Sequence, residues 1–264
     1  QSFAWNIGIE QEEGVRPIVA FNPHTWPVKS YVELESNSWK DEAVLVDEAG
    51  QVVPYQRIPS TTVTGRVRLC FTADLPPLGY RTYRLLPTGT PGNFASVSAS
   101  DGILENERFR LEIDTETGYV TSLYDKQAEV ETFSGDAARP VVIEDTSDTW
   151  SHNTFKFDKV IGEFKATSVK LAQHGPVKSV IRVTSTYEQS TLIQDFTMYP
   201  DRDQIDVHVV VDWHEQFKML KLRFPVNVKF MRVTNESAYG HIEYTANSDE
   251  VPFQGWVDVS GTSR

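Results

Sequence analysis

The sequence is poor in the features that mark secreted, membrane and disulfide-bonded proteins. It holds one cysteine, Cys70, which excludes an internal disulfide and predicts a reducing, cytoplasmic location. No apolar run approaches the roughly 20 residues that span a bilayer, and the first residues lack the basic and then apolar pattern of a signal peptide. We therefore expect a soluble chain with no membrane partner.

Basic residues are outnumbered by acidic ones. Lys and Arg number 25 against 37 Asp and Glu, so the formal net charge of the 264 residues is −12. This balance excludes a nucleic-acid partner held by phosphate contacts. Hydrophobic residues make up 39% of the chain, which is enough for a packed core in one large domain or two ordinary ones.

Four familiar catalytic motifs are absent from the sequence. It has no Gly-x-Gly-x-x-Gly after a strand, no P-loop, no Gly-x-Ser-x-Gly and no His-Glu-x-x-His. Capped amphipathic helices are not indicated either. The chain instead consists of short runs of β-branched and aromatic residues between turn residues, which predicts an all-β fold.

The first third of the chain predicts a small antiparallel β-sandwich over residues 17–88, preceded by a lead-in over residues 1–16. Six short apolar runs carry this prediction: Ile18 to Phe21, Tyr31 to Leu34, Val44 to Val46, Val52 to Tyr55, Val67 to Phe71 and Thr82 to Leu85. Alternation places Cys70 on the face opposite Leu69 and Phe71, so we expect a half-buried structural thiol. Asn22-Pro-His24 and Pro76-Pro77-Leu-Gly79 predict chain reversals, with positive φ accepted by glycine.

The remainder of the chain predicts a second, larger β-domain over residues 102–264. A stretch rich in Gly, Pro, Ser and Ala, residues 89–101, predicts the linker before it. Residues 108–124 predict a hairpin closed by Thr115-Glu-Thr-Gly118. The later apolar runs are about 10 residues long, which is typical of a large, twisted and layered sheet.

A polar loop with one large aromatic side chain is the first candidate site. In it Trp150 is flanked by Asp148, His152 and Asn153. An indole face stacks on a pyranose ring while polar groups bind the hydroxyls, so this composition is typical of a sugar contact. The alternative is a solvated loop whose Trp150 packs into its own core.

The stretch 207–215 is the second candidate site. Strand alternation places His208, Asp212 and His214 on one face, where Asp212 and His214 offer two metal ligands, although a catalytic zinc needs about three from the protein. The alternative to a metal site is that these polar side chains are hydrogen-bonded to neighbouring groups at the end of a strand. A mutarotase-like acid–base pair would use His208 and Glu215, which alternation directs to opposite faces.

A series of short motifs follows one order from residue 17 to the end of the chain. They are Pro17-Ile-Val-Ala-Phe-Asn-Pro23 with Trp26, Asp74-Leu-Pro-Pro-Leu-Gly-Tyr80, Leu104-Glu-Asn-Glu-Arg-Phe109 with Thr117-Gly118, Ser122-Leu-Tyr-Asp-Lys126, Asp148-Thr-Trp150, Gly175-Pro176, Val211-Asp-Trp-His-Glu215 with Lys218, Phe224-Pro225, Tyr239-Gly240 and Trp256-Val-Asp258. Together they resemble the C-terminal β-region of the α-mannosidases of glycoside hydrolase family 38. Many members continue the Tyr-Gly turn with Arg-Pro-Thr, whereas this chain continues with His241, so we transfer no function to that turn.

The resemblance implies a layout of four parts. A zinc-dependent catalytic barrel and a helical bundle precede a small β-sandwich and a super-sandwich similar to galactose mutarotase. This chain would begin after the bundle, with residues 102–264 as part of the super-sandwich. Because the aspartate nucleophile and the zinc of such enzymes lie on the barrel, the resemblance implies no catalytic residue, metal ligand or cofactor in this chain.

The resemblance also implies a function for the first candidate site. In family members a loop of the large β-domain leans over the active site of the barrel, and residues 148–153 resemble that loop in position. This implies substrate contact by Asp148, Trp150 and His152. We therefore expect a non-catalytic fragment of an α-mannosidase, inactive on its own, that supports the barrel and meets α-mannosides through the parent enzyme.

Two further expectations concern the chain as a whole. A start at Gln1 rather than Met and an end on Arg264 fit a fragment. If the parent enzyme contains strands that pair with this chain, their absence would leave exposed sheet edges, which favour self-association. The alternative to the fragment is a free-standing carbohydrate-binding or mutarotase-like protein.

Overall fold

The computed structural model describes residues 6–9, 12–35, 41–246 and 249–263, with the backbone alone at Ser263. These residues form β-strands and no α-helix, which confirms the all-β prediction. No helix in these ranges is long and apolar enough to cross a membrane. Two compact units are present. The described residues up to Val97 form the first with Gln173–Ser179, and Ser98–Ala172 form the second with the described residues from Val180 onward.

The first unit is a small sandwich of two three-stranded antiparallel sheets, in the orders β1-β6-β3 and β2-β5-β4. Its strands are β1 (Arg16–Phe21), β2 (Val28–Glu35), β3 (Val44–Asp47), β4 (Tyr55–Pro59), β5 (Val67–Leu75) and β6 (Tyr80–Leu86). Alternation along β5 directs Leu69, Phe71 and Ala73 into the core. There the Phe71 ring meets Tyr83 of β6 edge to face, with the centroids 4.8 Å apart.

Two details of the first unit differ from the sequence predictions. The predicted strand at 52–55 lies later, as β4, and Val52 makes only an isolated bridge to Val46. Cys70 is fully buried rather than half-buried, because Val177 from the segment Gln173–Ser179 packs against it. Of the predicted lead-in, residues 1–5 and 10–11 lie outside the described residues.

The two predicted chain reversals of the first unit are hydrogen-bonded to each other. The Asn22 N–H donates to the Gly79 carbonyl at 2.8 Å, and the Leu78 N–H donates to the His24 carbonyl at 2.8 Å. The positive φ, 46°, falls on Leu78 rather than on glycine. Gly79 is required for space instead, because an added Cβ would lie 2.8 Å from Cγ of Pro76.

The remaining strands form four sheets, in the orders β11-β10-β9-β8-β7, β13-β12-β18, β14-β15-β16-β17 and β20-β19-β21. The strands are β7 (Ser98–Ser100), β8 (Ile103–Glu105), β9 (Phe109–Ile113), β10 (Val120–Asp125), β11 (Val130–Glu131), β12 (Arg139–Glu144), β13 (Val160–Glu163), β14 (Lys165–Gln173), β15 (Ser179–Tyr187), β16 (Ser190–Met198), β17 (Ile205–Asp212), β18 (Lys218–Arg223), β19 (Val228–Ser237), β20 (Gly240–Thr245) and β21 (Val257–Ser263). Strand β7 falls within the stretch predicted as a linker.

A layered core lies between two of these sheets. Val142 of β12 and Leu192 of β16 are buried with Phe164, and Leu220 of β18 packs against them. The predicted hairpin of residues 108–124 is present as β9 and β10, which pair antiparallel. The end of β12 and the start of β13, at the margin of this core, carry the loop of the first candidate site.

Candidate functional site

The β12–β13 loop, residues 145–159, is closed at its base by contacts of both backbone and side chains. The Glu144 N–H donates to the Lys159 carbonyl at 3.0 Å, and Lys159 Nζ lies 2.7 Å from Oε1 of Glu144. The Asp145 N–H donates to the Phe217 carbonyl at 2.9 Å, which ties the loop to the chain just before β18. The two ends of the loop are therefore fixed.

The tip of the loop is organised by one carboxylate. Asp148 Oδ1 accepts the backbone N–H groups of Trp150 at 3.0 Å and His152 at 3.2 Å. Asp148 Oδ2 lies 2.7 Å from Nδ1 of the His152 ring. The Ser151 N–H donates to the Asp148 carbonyl at 3.0 Å, which completes a tight turn.

These hydrogen bonds set the charge state of the turn. The ring of His152 and the backbone N–H groups of Trp150 and Ser151 all favour the ionised carboxylate, and they hold the pKa of Asp148 below its usual value. Ser151 and Asn153 take left-handed backbone, with φ of 53° and 61°. A turn built this way depends on the Asp148 carboxylate rather than on packing.

Trp150 lies outside the core. It is 81% exposed, and the nearby Phe155 is 77% exposed, so two large rings of one loop stand in solvent. This contradicts the alternative in which Trp150 packs into its own core. Phe155 was not predicted as part of the site; its only signal in the sequence is an aromatic residue placed outside any strand pattern.

A small polar pocket of about 180 Å³ lies within the same loop. Its wall includes Glu144, Ser147, Thr154 and Lys159. The Phe157 N–H donates to Oε1 of Glu250 at 2.7 Å, which ties the loop to the segment before β21. The pocket offers carboxylate, hydroxyl and ammonium groups, a mixture suited to hydroxyl-rich ligands.

The second candidate site does not assemble into a metal centre. Asp212 Oδ1 lies 3.0 Å from Nε2 of His214, so these two predicted ligands pair with each other. Within the ranges that the structure describes, no three His, Cys, Asp or Glu side chains are grouped so that they could hold a metal ion. His208 lies exposed on β17, opposite Asp195 of β16.

The proposed acid–base pair of His208 and Glu215 is also not formed. Glu215 accepts a hydrogen bond from Ser190 Oγ at 3.0 Å, and its other oxygen lies 2.8 Å from Nζ of Lys218. The hydrogen bond from Lys218 lowers the pKa of the Glu215 carboxyl, and both of its oxygens are already engaged. The geometry therefore favours the β12–β13 loop as the candidate site.

Comparison with known proteins agrees with this fold. The sequence matches the glycosyl hydrolases family 38 C-terminal domain over residues 104–263, more than half of the chain. Among solved structures, the chain is similar to an α-mannosidase from Enterococcus faecalis, with a TM-score of 0.69 and 14% sequence identity. The similarity covers 94% of this chain and 36% of that one. No curated protein sequence matches. The chain belongs to the glycoside hydrolase family 38 C-terminal domain family.

Proposed function

We propose that this chain is a non-catalytic part of an α-mannosidase, which hydrolyses terminal α-mannosides. In this proposal residues 17–88 are its small β-sandwich and residues 102–264 are part of its super-sandwich, and both support a catalytic domain outside this chain. Family membership and the likeness of fold to a longer α-mannosidase support it. The described residues do not fit a zinc site, because Asp148 with His152 and Asp212 with His214 are pairs that lack a third ligand. We therefore place the zinc on the catalytic domain.

The exposed Trp150 is the observation that carries the proposed contact with substrate. Its ring is held in solvent by a turn that Asp148 fixes, so it can stack on a sugar without any rearrangement of the loop. His152 Nδ1 is engaged by Asp148, which leaves Nε2 as the ring nitrogen for a sugar hydroxyl. Asp148 is thus a positioning residue, while Trp150 and His152 touch the sugar.

The test uses the full product of the gene that encodes this chain. The variant Trp150→Ala should lower kcat/KM for an α-mannoside roughly threefold to tenfold, mainly through KM, because an aromatic stacking contact is lost. Trp150→Phe keeps a ring and should recover part of the loss. The matched control is Trp256→Ala, which removes another exposed indole of the same unit and should leave kcat/KM unchanged. Equal kinetics for Trp150→Ala and the parent would contradict substrate contact.

We also propose self-association through the edge strand β17. In the described part of the chain β17 pairs with β16 alone, and Val207, Val210 and Val211 are exposed on its two faces. An edge strand of eight residues with exposed valines invites strand pairing with a second copy. Sedimentation velocity should reveal a dimer that Val210→Lys weakens and that Val63→Lys, in an exposed loop, leaves intact. A monomer at every concentration would contradict this proposal.

A reducing cytoplasm is the compartment that we propose. Cys70 is unpaired and buried, so the fold uses no disulfide. Asn235 of the sequon Asn235-Glu-Ser237 is buried on the central strand β19, where an attached glycan would have no space. The intact mass of the protein isolated from its natural source should therefore equal the mass of the unglycosylated polypeptide. A hexose-containing adduct on Asn235 would contradict the cytoplasmic location.

A further inference from the structure

Lys218, the first residue of β18, is held by two carboxylates and one aromatic ring. Its Nζ lies 2.8 Å from Oε2 of Glu215 and 3.1 Å from Oε2 of Glu188, which lies in the turn between β15 and β16. The ammonium also lies over the Tyr187 ring, 5.1 Å from the ring centroid. We call Lys218, Glu215, Glu188 and Tyr187 the Lys218 cluster.

The position of this cluster is set by β16. The Glu215 side chain is only 6% exposed, and Ser190 Oγ of β16 donates to its Oε1 at 3.0 Å. The same Oγ accepts the His214 N–H at 2.9 Å. A largely buried carboxylate that is hydrogen-bonded in this way fixes the ammonium that pairs with it. Lys218 is therefore anchored to a neighbouring sheet rather than to solvent.

The Lys218 cluster also meets both strands that carry the β12–β13 loop. Lys218 is the cross-strand partner of Glu144, the last residue of β12. The Tyr187 ring packs directly on Gly162 of β13, where an added Cβ would lie 2.4 Å from Cε2 of the ring. The cluster is thus in register with the strand before the loop and in contact with the strand after it.

The residue before Lys218 has a backbone that its own side chain disfavours. Phe217 has a φ of 53°, in the left-handed region that is costly for a bulky residue. Its ring is 73% exposed, so core packing does not offset that cost. The Phe217 carbonyl accepts the N–H of Asp145, the first residue of the loop, at 2.9 Å. Such a backbone persists only where its surroundings over-determine it, and the anchored Lys218 is the adjoining residue.

We propose that Lys218 is a positioning residue for the β12–β13 loop. Its ion pairs hold the Phe217 backbone in the left-handed region, where the Phe217 carbonyl meets the Asp145 N–H. Without the ammonium, Phe217 relaxes toward a favoured backbone and its carbonyl withdraws from Asp145. The base of the loop then moves and displaces Trp150 from its fixed position. Only the consequence for substrate contact rests on the proposed function.

The variant Lys218→Met removes the charge and keeps an unbranched side chain. In NMR spectra of the 264-residue chain we expect the Asp145 amide to exchange with solvent about tenfold faster or more, and the Trp150 indole signal to shift. The control Lys126→Met removes an ammonium that lies 2.6 Å from Glu105 in another sheet, and it should leave both signals as in the parent. Parent-like exchange of Asp145 in Lys218→Met would overturn the proposal.

Two further variants separate positioning from a general loss of stability. Lys218→Arg keeps the positive charge and should keep the Asp145 exchange rate within about threefold of the parent. Asparagine accepts the left-handed region more readily than phenylalanine, so Lys218→Met combined with Phe217→Asn should regain part of the protection of Asp145. Equal exchange rates for Lys218→Met and the double variant would contradict the role given to the Phe217 backbone.

Kinetics of the full gene product test the consequence for substrate contact. Lys218→Met should raise KM for an α-mannoside roughly threefold to tenfold and leave kcat within about twofold. The effect should vanish in a Trp150→Ala background, because the contact that Lys218 positions is already lost there. Faster Asp145 exchange with unchanged KM would uphold the positioning role and contradict substrate contact by Trp150. An equal rise in KM with and without Trp150 would contradict action through this loop.

Discussion

Asp148 and His152 form a close side-chain pair, with Oδ2 2.7 Å from Nδ1, at the tip of the β12–β13 loop. The same carboxylate accepts the backbone N–H of Trp150. The exposed indole therefore owes its position to a carboxylate that is itself largely in solvent. This dependence makes the geometry of the candidate site sensitive to the ionisation of Asp148.

The turn should be lost only at acid pH. Since the folded-state pKa of Asp148 lies below its usual value, the stabilisation is fully present above an unfolded pKa of about 3.9 and is lost as pH falls through the lower folded value. We expect the amide signals of Trp150 and His152 to share a transition below about pH 4, where the Asp148 carboxylate gains its proton. NMR titration measures this.

The control for this titration is Asp148→Asn. An amide oxygen still accepts the two backbone N–H groups but does not ionise, so the common transition of Trp150 and His152 should disappear. A transition at the same pH in this variant would assign the change to another group and contradict the role given to Asp148.

Asn22 should be a major contributor to the stability of the first unit. Asn22→Ala removes hydrogen bonds to three backbone groups at a buried position, and we expect a loss of about 2–4 kcal/mol in the free energy of unfolding. Urea denaturation measures the loss. The control Asn93→Ala lies at an exposed position and should change stability by less than about 0.5 kcal/mol. Equal midpoints for the two variants would contradict the buried network.

Gly118 closes the β9–β10 hairpin at a position that no other residue fits. Its φ is +73°, and an added Cβ would lie 2.5 Å from Cγ1 of Val183 and 3.1 Å from Cβ of Ala166. Gly118→Ala combines a left-handed backbone with overpacking and should cost about 2–4 kcal/mol. Gly135→Ala, in open space, is the control. Equal thermal midpoints for the two variants would show that the hairpin accommodates the added methyl group without loss of stability.

The thiol of Cys70 should be unreactive in the folded protein. Burial raises its pKa to about 11, and the side chain is 0% exposed, so both thiolate and access are lacking at pH 8. A disulfide reagent should label no thiol in the native chain and one after unfolding in guanidinium. Fast labelling of the native chain would mean that the cover over Cys70 opens readily.

Local patterns were sufficient to predict most strands. The β9–β10 hairpin follows from alternation and from the turn at Gly118, both of which are properties of neighbouring residues. The predicted strand at 52–55 lies later in the structure: Pro54 has no N–H to donate to a ladder, Val52 makes an isolated bridge, and β4 begins at Tyr55. The burial of Cys70 was underestimated because Val177, more than a hundred residues away, covers it. Alternation along β5 carries no information about that segment.

The candidate site was predictable only in part. Residue types located Trp150, Asp148 and His152 in one loop, but the exposure of the indole depends on the turn that Asp148 closes. The pairing of Asp212 with His214, and of Glu215 with Lys218, depends on where β17 ends and β18 begins. Side-chain partners of this kind follow from three-dimensional placement, and strand alternation alone does not determine them.

Hydrolysis of a chromogenic α-mannoside tests whether this chain is non-catalytic. The purified 264-residue chain is assayed with and without added zinc, beside the full product of its gene. We predict hydrolysis by the full product alone, since we place the nucleophile and the zinc on the catalytic domain. Hydrolysis by the 264-residue chain itself, abolished by substitution of a carboxylate within it, would contradict the account and place a catalytic pair among these strands.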